Sequence, residues 1–206
     1  MTLPRLHAIT DGWVLRRPDF EARVTALAAL GPRVAIHVRD RSVSGRALWQ
    51  AAERVSSVAS PHGALVLVNA RPDIAAGLAA FGVQLGAGDL GVLDARRVAP
   101  RATIGRSVHS LVEAAAAAAD GADFLVAGSI FATESHPGAG ATGTGFVRSA
   151  ATLGRPVVAI GGITAERAPA VHAAGAHGIA AMRALWDAPD AVAAAEALLA
   201  PWREAA

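Results

Sequence analysis

The chain has 206 residues, 53% of them hydrophobic and 17% charged, so it can bury one sizeable core but is short for two. Lysine and cysteine are absent, which excludes Schiff-base catalysis, the lysine of a P-loop, disulfides and cysteine nucleophiles. The 19 basic residues are scattered arginines that nearly balance 17 acidic residues, for a formal charge of +2, so nucleic acid is not an expected partner. No apolar run approaches the roughly 20 residues of a membrane span and no leader begins the chain, so we expect a cytoplasmic protein.

Apolar runs rich in β-branched residues alternate with alanine-rich stretches of helical spacing along the whole sequence. The predicted strands cover residues 6–10, 34–39, 65–69, 83–85, 103–109, 124–128, 157–161 and 178–182. The predicted helices cover residues 19–30, 44–59, 72–81, 91–98, 110–120, 143–153, 164–174 and 187–203. Eight βα units without a linker predict one α/β domain over residues 1–206, a single (β/α)8 TIM barrel. The alternative is an open doubly wound sheet, but no G-x-G-x-x-G follows the first strand.

Chemistry in such a barrel is expected where the strands end, at the C-terminal mouth. In the second strand His37, Arg39 and Arg41 share one face. An arginine at this exit suits a carboxylate or phosphate, with a surface salt bridge as the alternative. In the fifth strand Ser107 and His109 share a face, and a histidine at the mouth can exchange protons near neutral pH. From this strand alone, a structural histidine remains the alternative.

Two amides and one carboxylate complete the candidates at the mouth. Asn69 ends the third strand and Gln84 lies in the fourth, where each either orients a ligand or fixes a loop by hydrogen bonds. Asp89 is the one well-placed carboxylate, and a single carboxylate is too few to predict a metal site. Arg106 falls on the opposite face of the fifth strand, and the sequence assigns it no partner.

The stretch 156–186 carries the prediction of a phosphate site. Gly161 and Gly162 end the seventh strand, and the turn of Met182 and Arg183 follows the eighth. Strand-to-helix turns that present backbone amides after strands seven and eight are the usual phosphate site of a (β/α)8 barrel. We therefore predict phosphate binding at these four residues, with tight turns in any α/β protein as the alternative.

The loop 131–145 lacks an apolar period and is rich in glycine and threonine. A long βα loop after the sixth strand would lie over the mouth, so we expect a substrate lid there, with a disordered insertion as the alternative.

Eight segments, in order through residues 6–186, resemble the thiamine phosphate synthase/TenI family: LHAITD, IHVRDRS, LVNARPDIA, VQL, IGRSVHSLVEA, GSIFATE, VVAIGGIT and GAHGIAAM. The resemblance implies one barrel with two activities. The synthase joins a pyrimidine diphosphate to a thiazole phosphate, using Mg²⁺. TenI-type proteins instead aromatise a carboxythiazole phosphate tautomer by moving a proton, without metal.

Departures from the synthase pattern favour the TenI branch. The synthase pattern has an Mg²⁺-binding aspartate where this chain has Ala70, and lysines where it has Arg41 and His136, although the later aspartate is kept as Asp89. The LHAITD, IHVRDRS and GRSVHS forms look like the TenI branch, whose catalytic histidine corresponds to His109.

We therefore expect a thiazole tautomerase of thiamin biosynthesis that uses neither metal nor cofactor. The alternatives are an Mg²⁺-dependent thiamine phosphate synthase and a non-catalytic regulatory protein that binds thiazole or thiamine phosphate. The expected partner is a small thiazole phosphate, with no membrane contact, and homo-oligomerisation is left open. The expected substrate-binding residues are His37, Arg39, Arg41, Asn69, Gln84 and Ser107.

Overall fold

Eight parallel strands close into a barrel in chain order in the computed structural model, which describes residues 2–78, 80–132 and 140–203. The strands are β1 (Leu6–Ile9), β2 (Val34–Val38), β3 (Leu65–Asn69), β4 (Gly82–Leu85), β5 (Thr103–Val108), β6 (Phe124–Ala127), β7 (Val157–Ile160) and β8 (Gly178–Ala181). The barrel closes where Leu6 pairs with Ile179. The predicted (β/α)8 barrel is thus confirmed, and each strand bound agrees with the sequence prediction to within one residue.

Helices follow the strands around the outside of the barrel. They are α1 (Phe20–Ala28), α2 (Gly45–Ala59), α3 (Pro72–Gly77), α4 (Val92–Val98), α5 (Leu111–Ala119), α6 (Gly143–Ala151), α7 (Ala168–Ala173), α8 (Arg183–Trp186) and α9 (Ala191–Leu199), with 3-10 turns at Val14–Arg16, Gly31–Arg33, Ser60–His62 and Ala200–Trp202. In the described ranges, no helix is long and apolar enough to cross a membrane.

Three helix predictions were wrong by four residues at a boundary: the helix predicted over residues 72–81 ends at Gly77, and the other two have a local reason. The predicted helix 187–203 begins only at Ala191, because the side chain of Asp190 accepts hydrogen bonds from the amides of Val192 and Ala193 and caps α9 there. The predicted helix 164–174 begins only at Ala168, where a proline lies in the first turn and suits a helix start.

The apolar side chains pack in two layers. The larger lies between the strands and the helices, and the smaller lies inside the barrel, with Phe124 among its members. The inner layer is not wholly apolar, because His7, His37 and Gln84 are buried polar residues carried by strands β1, β2 and β4. A packed, partly polar barrel interior thus lies beneath the mouth and supports the side chains that end the strands.

The predicted lid 131–145 falls partly outside the described residues, because residues 133–139 form a gap in them. His136, which stands where the synthase pattern has a lysine, falls in the same gap.

Candidate active site

His109 stands directly after β5, next to the helix α5. Its side chain is 56% exposed, and Nδ1 lies 3.3 Å from Oε2 of Glu113. The same carboxylate oxygen accepts a hydrogen bond of 2.8 Å from the backbone amide of His109. The ring is therefore accessible on one side and oriented by a carboxylate on the other, an arrangement typical of a proton-transferring histidine.

Glu113 was not among the residues that the sequence predicted for the site. Ser110 does cap α5, accepting from the amide of Glu113 at 3.2 Å. The side chain of Glu113, however, reaches the residue before the cap. The amide of His109 is the main cause that lowers the pKa of Glu113, so Glu113 is a carboxylate at neutral pH. The i, i+4 spacing of the two side chains was the signal that could have found this pair.

The two arginines after β2 occupy different environments. Arg39 is half-buried, and burial lowers the pKa of its guanidinium, with Arg41 acting in the same direction. Arg41 is exposed, and its Nη2 lies close to the turn at Gly86, near the carboxylate of Asp89. Thr10 fixes this exit, because its hydroxyl accepts from the amide of Arg39 at 3.0 Å. Two guanidinium groups near one strand exit make a local site for an anion.

His37 does not lie at the mouth with the two arginines but is fully buried in the barrel interior. Its Nε2 lies 2.7 Å from Nδ1 of His7, and its Nδ1 lies 3.3 Å from the side-chain oxygen Oδ1 of Asn69. Burial lowers the pKa of His37 to about 4. Burial also lowers the pKa of His7 well below its ordinary value, and His37 acts in the same direction. Both rings are therefore neutral at pH 7.

His7 was not among the sequence candidates. It lies in an apolar strand and resembles a core residue there, and only the pairing of β1 with β2 shows that it neighbours His37. The chain from His7 through His37 ends at Asn69, the partly exposed last residue of β3.

Gln84 and Ser107 join strands β4 and β5 inside the barrel. The amide nitrogen of Gln84 donates to the hydroxyl of Ser107 at 3.1 Å and to the carbonyl of Leu85 at 3.2 Å. Its Oε1 is buried and has no partner among the described residues. A Cβ built on Gly105 would lie 2.1 Å from the ring of Phe124 and 2.2 Å from this oxygen, so glycine is required at that position. Gln84 is therefore buried below the mouth, whereas Ser107 is partly exposed.

Arg106 and Asp89 support the loop between β4 and α4. Arg106 lies on the outer face of the barrel and donates to the carbonyl of Leu90 at 3.1 Å. Asp89 accepts from the amide of Gly86 at 2.6 Å. Both side chains thus hold backbone that borders Arg41.

The glycine pair after β7 has positive φ values of 101° at Gly161 and 59° at Gly162. A Cβ on Gly161 would lie 2.7 Å from the Cβ of Ser129, and one on Gly162 would lie 2.5 Å from the carbonyl oxygen of Ala132. The close approach of the segment after β6 therefore requires both glycines. A tight turn is a sufficient reason for their presence, and phosphate binding there remains a proposal.

The turn after β8 borders a cavity of about 290 Å³ between the exits of β8 and β1. Met182 caps the four-residue helix α8, and Arg183 is its first residue. The lining residues of this cavity include Asp11, Trp13, Met182, Arg183, Trp186 and Asp187. The carboxylate of Asp11 accepts hydrogen bonds from the backbone amides of Trp13 and Val14. Arg183 thus borders a cavity large enough for a small polar group.

The residues present fit a divalent cation poorly. Mg²⁺ prefers several hard oxygen ligands, including carboxylates. The residue after Asn69 is Ala70, and Asp89 already accepts from Gly86. In the parts of the chain that the structure describes, no group of three or more His, Cys, Asp or Glu side chains could hold a metal ion.

Comparison with known proteins gives consistent matches. Residues 6–185 match the family model TMP-TENI, described as thiamine monophosphate synthase. A thiamine-phosphate synthase of Methanoculleus marisnigri is 41% identical over 198 residues, covering 94% of this chain and 92% of that protein. One of Mycobacterium tuberculosis is 41% identical over 208 residues, with shares of 94% and 92%. The structure of a thiamine phosphate pyrophosphorylase from Pyrococcus furiosus has a TM-score of 0.85 and 34% identity, and covers 97% of this chain and 95% of that one.

Proposed function

This chain belongs to the TMP-TENI family of thiamine monophosphate synthases and is an enzyme of thiamine biosynthesis, and we propose that within this family it is a thiazole tautomerase. The substrate would be a carboxythiazole phosphate tautomer, and the product its aromatic isomer. The observation that carries the proposal is the exposed His109 ring, held by the Glu113 carboxylate at the end of β5.

The proposed reaction is a proton shift within one molecule. His109 takes the proton from the ring carbon that bears the carboxylate and returns a proton to the exocyclic carbon, so the double bonds rearrange into an aromatic ring. With Nδ1–H donating to Glu113, Nε2 carries the lone pair that accepts the proton. The Glu113 carboxylate stabilises the imidazolium of His109 that is formed between the two proton transfers. No atom is gained or lost, so no co-reactant is needed.

The two anionic groups of the substrate would occupy separate parts of the mouth. We assign the carboxylate to Arg39 and Arg41, whose guanidinium groups lie near one strand exit. We assign the phosphate to the turns at Gly161 and Gly162 and at Met182 and Arg183, which follow β7 and β8.

A second candidate, the synthase, is favoured by one observation: the relatives at 41% identity are thiamine-phosphate synthases. Against it stand Ala70 and Arg41, which replace a metal-binding aspartate and a lysine of the synthase pattern. The poor fit of the described residues to a divalent cation also argues against the synthase.

We expect the purified protein to convert the tautomer to the aromatic thiazole in the presence of EDTA, followed by the absorbance of the aromatic ring. The companion assay supplies the pyrimidine diphosphate, the thiazole phosphate and Mg²⁺, and thiamine phosphate is measured. Coupling only with Mg²⁺, without tautomer turnover, would establish the synthase instead. Tight binding of the thiazole phosphate with neither reaction would establish a binding protein.

Replacing Arg41 with Met should weaken binding of the carboxythiazole phosphate product about tenfold, because one charge-assisted hydrogen bond is lost. The affinity for inorganic phosphate should stay unchanged, since the phosphate is assigned to the turns after β7 and β8 and not to the exit of β2. Calorimetry measures both, and Arg46→Met, which removes the same charge from exposed α2, is the matched control. Equal losses for both ligands would contradict the assignment of the carboxylate to Arg41.

A further inference from the structure

Three hydrogen bonds link Pro4, His7, His37 and Asn69, and the chemistry of these groups fixes which atom donates in each of them. Nε2 of His7 lies 3.2 Å from the carbonyl oxygen of Pro4, and a carbonyl oxygen can only accept. Nε2 of His7 therefore carries a proton that it donates to Pro4. Nδ1 of the same neutral ring is left as an acceptor.

The assignment for the His7 ring determines the donor and acceptor atoms of the His37 ring. Nδ1 of His7 lies 2.7 Å from Nε2 of His37, so Nε2 of His37 carries the proton and donates it to His7. Both rings have 0% exposure, and burial without a neighbouring carboxylate disfavours a second proton on either of them. Nδ1 of a neutral His37 must then be an acceptor, and it needs a donor.

The side-chain atom placed at that position is Oδ1 of Asn69, 3.3 Å from Nδ1 of His37, with the amide nitrogen at the other end of the same group. An oxygen there would place two acceptors against each other. The oxygen and nitrogen of an asparagine amide are distinguished by their hydrogen bonds, and a half-turn of the amide exchanges them. The nitrogen therefore faces His37, and the carbonyl oxygen takes the other position of the amide.

We propose that His7 and His37 are positioning residues that hold the amide of Asn69 so that it offers a ligand its carbonyl oxygen. Asn69 ends β3 and is partly exposed, so this oxygen belongs to the mouth rather than to the barrel interior. An acceptor there selects for a hydroxyl, an amine or a bridging water and disfavours an anionic oxygen. The ligand's anionic groups are thereby directed away from β3. The direction of these hydrogen bonds does not depend on which of the two activities the chain has.

Nuclear magnetic resonance tests the direction in the full chain. Asn69 is the only asparagine in the sequence, so ¹⁵N-asparagine labelling gives one side-chain amide signal. With ¹⁵N-histidine added, we expect His7 and His37 to be protonated on Nε2 alone at pH 7. We also expect a scalar coupling between the Asn69 side-chain nitrogen and Nδ1 of His37. A proton on Nδ1 of His37 in the wild type would overturn the proposal.

A substitution adds a signature that packing alone would not produce. Asn69→Asp replaces the donor with a carboxylate that can only accept, so His37 should gain a proton on Nδ1. Gln50→Glu, which makes the same amide-to-carboxylate change on exposed α2, should leave all histidine signals as they are. An unprotonated Nδ1 in folded Asn69→Asp would overturn the proposal. If that variant does not fold, the wild-type coupling still decides the direction.

Discussion

Replacing His109 with Ala should lower turnover of the carboxythiazole phosphate tautomer about 10²–10⁴-fold, the range typical for loss of a general acid/base. Binding of the aromatic product should stay within about twofold of wild type, because the ring is assigned to proton transfer and not to holding an anion. Rapid mixing with the tautomer and calorimetry with the product measure the two quantities. A loss of turnover without loss of binding identifies an interaction made in the transition state.

Two comparisons guard this result against indirect effects. His62→Ala removes an exposed histidine from the 3-10 turn that precedes β3, at the end of the barrel where the strands begin and away from the mouth, and should leave turnover unchanged. The fold of His109→Ala is checked by its thermal midpoint, since a half-exposed side chain contributes little burial. Wild-type turnover in a folded His109→Ala protein would refute the proposed role of this ring.

Most of the barrel was predictable from local patterns. Parallel strands covered on both faces appear as short apolar runs, and glycine or proline between them marks the turns, so strand bounds agreed closely. The short helix α8 was not predicted, and the start of α9 was predicted too early because an alanine-rich stretch has helical spacing throughout. Only the side chain of Asp190, which satisfies two backbone amides, sets where the second helix begins.

The site was predictable where one strand or one turn carries the information, and not where the pairing of two strands creates it. His109 follows from the alternation along β5. His7 and His37 lie 30 residues apart and meet only because β1 pairs with β2. Period-two alternation assigned His37 correctly to the inner face, yet it could not give the depth of that side chain. How deeply a polar side chain is buried in the barrel decides whether it contacts the ligand or supports a residue that does.

The buried histidine pair should make the protein less stable as pH falls below about 6.5. The unfolded chain binds a proton at His37 near pH 6.5, whereas the folded chain resists it until its pKa of about 4. The unfolded state then binds more protons, so the free energy of unfolding falls with pH. His37 alone should account for about 2 kcal/mol between pH 7 and 5. The pKa of His7 is shifted in the same direction and adds to the loss.

Urea unfolding at steps from pH 8 to 5 measures this slope, and His37→Gln is the variant that isolates it. Glutamine keeps a polar group inside the barrel and does not titrate. The free energy of unfolding of the variant should therefore depend less on pH than that of the wild type, even if it is lower at pH 8. Above pH 7 the wild-type curve should be flat, because both states of both rings are then neutral. Carboxylates with lowered pKa values, such as Glu113 and Glu196, act mainly below pH 5 and do not confound this window. Equal slopes for wild type and His37→Gln would mean that His37 takes up its proton in the folded barrel. In that case Nδ1 of His37 would be a donor, and the direction argued for the Asn69 amide would be reversed.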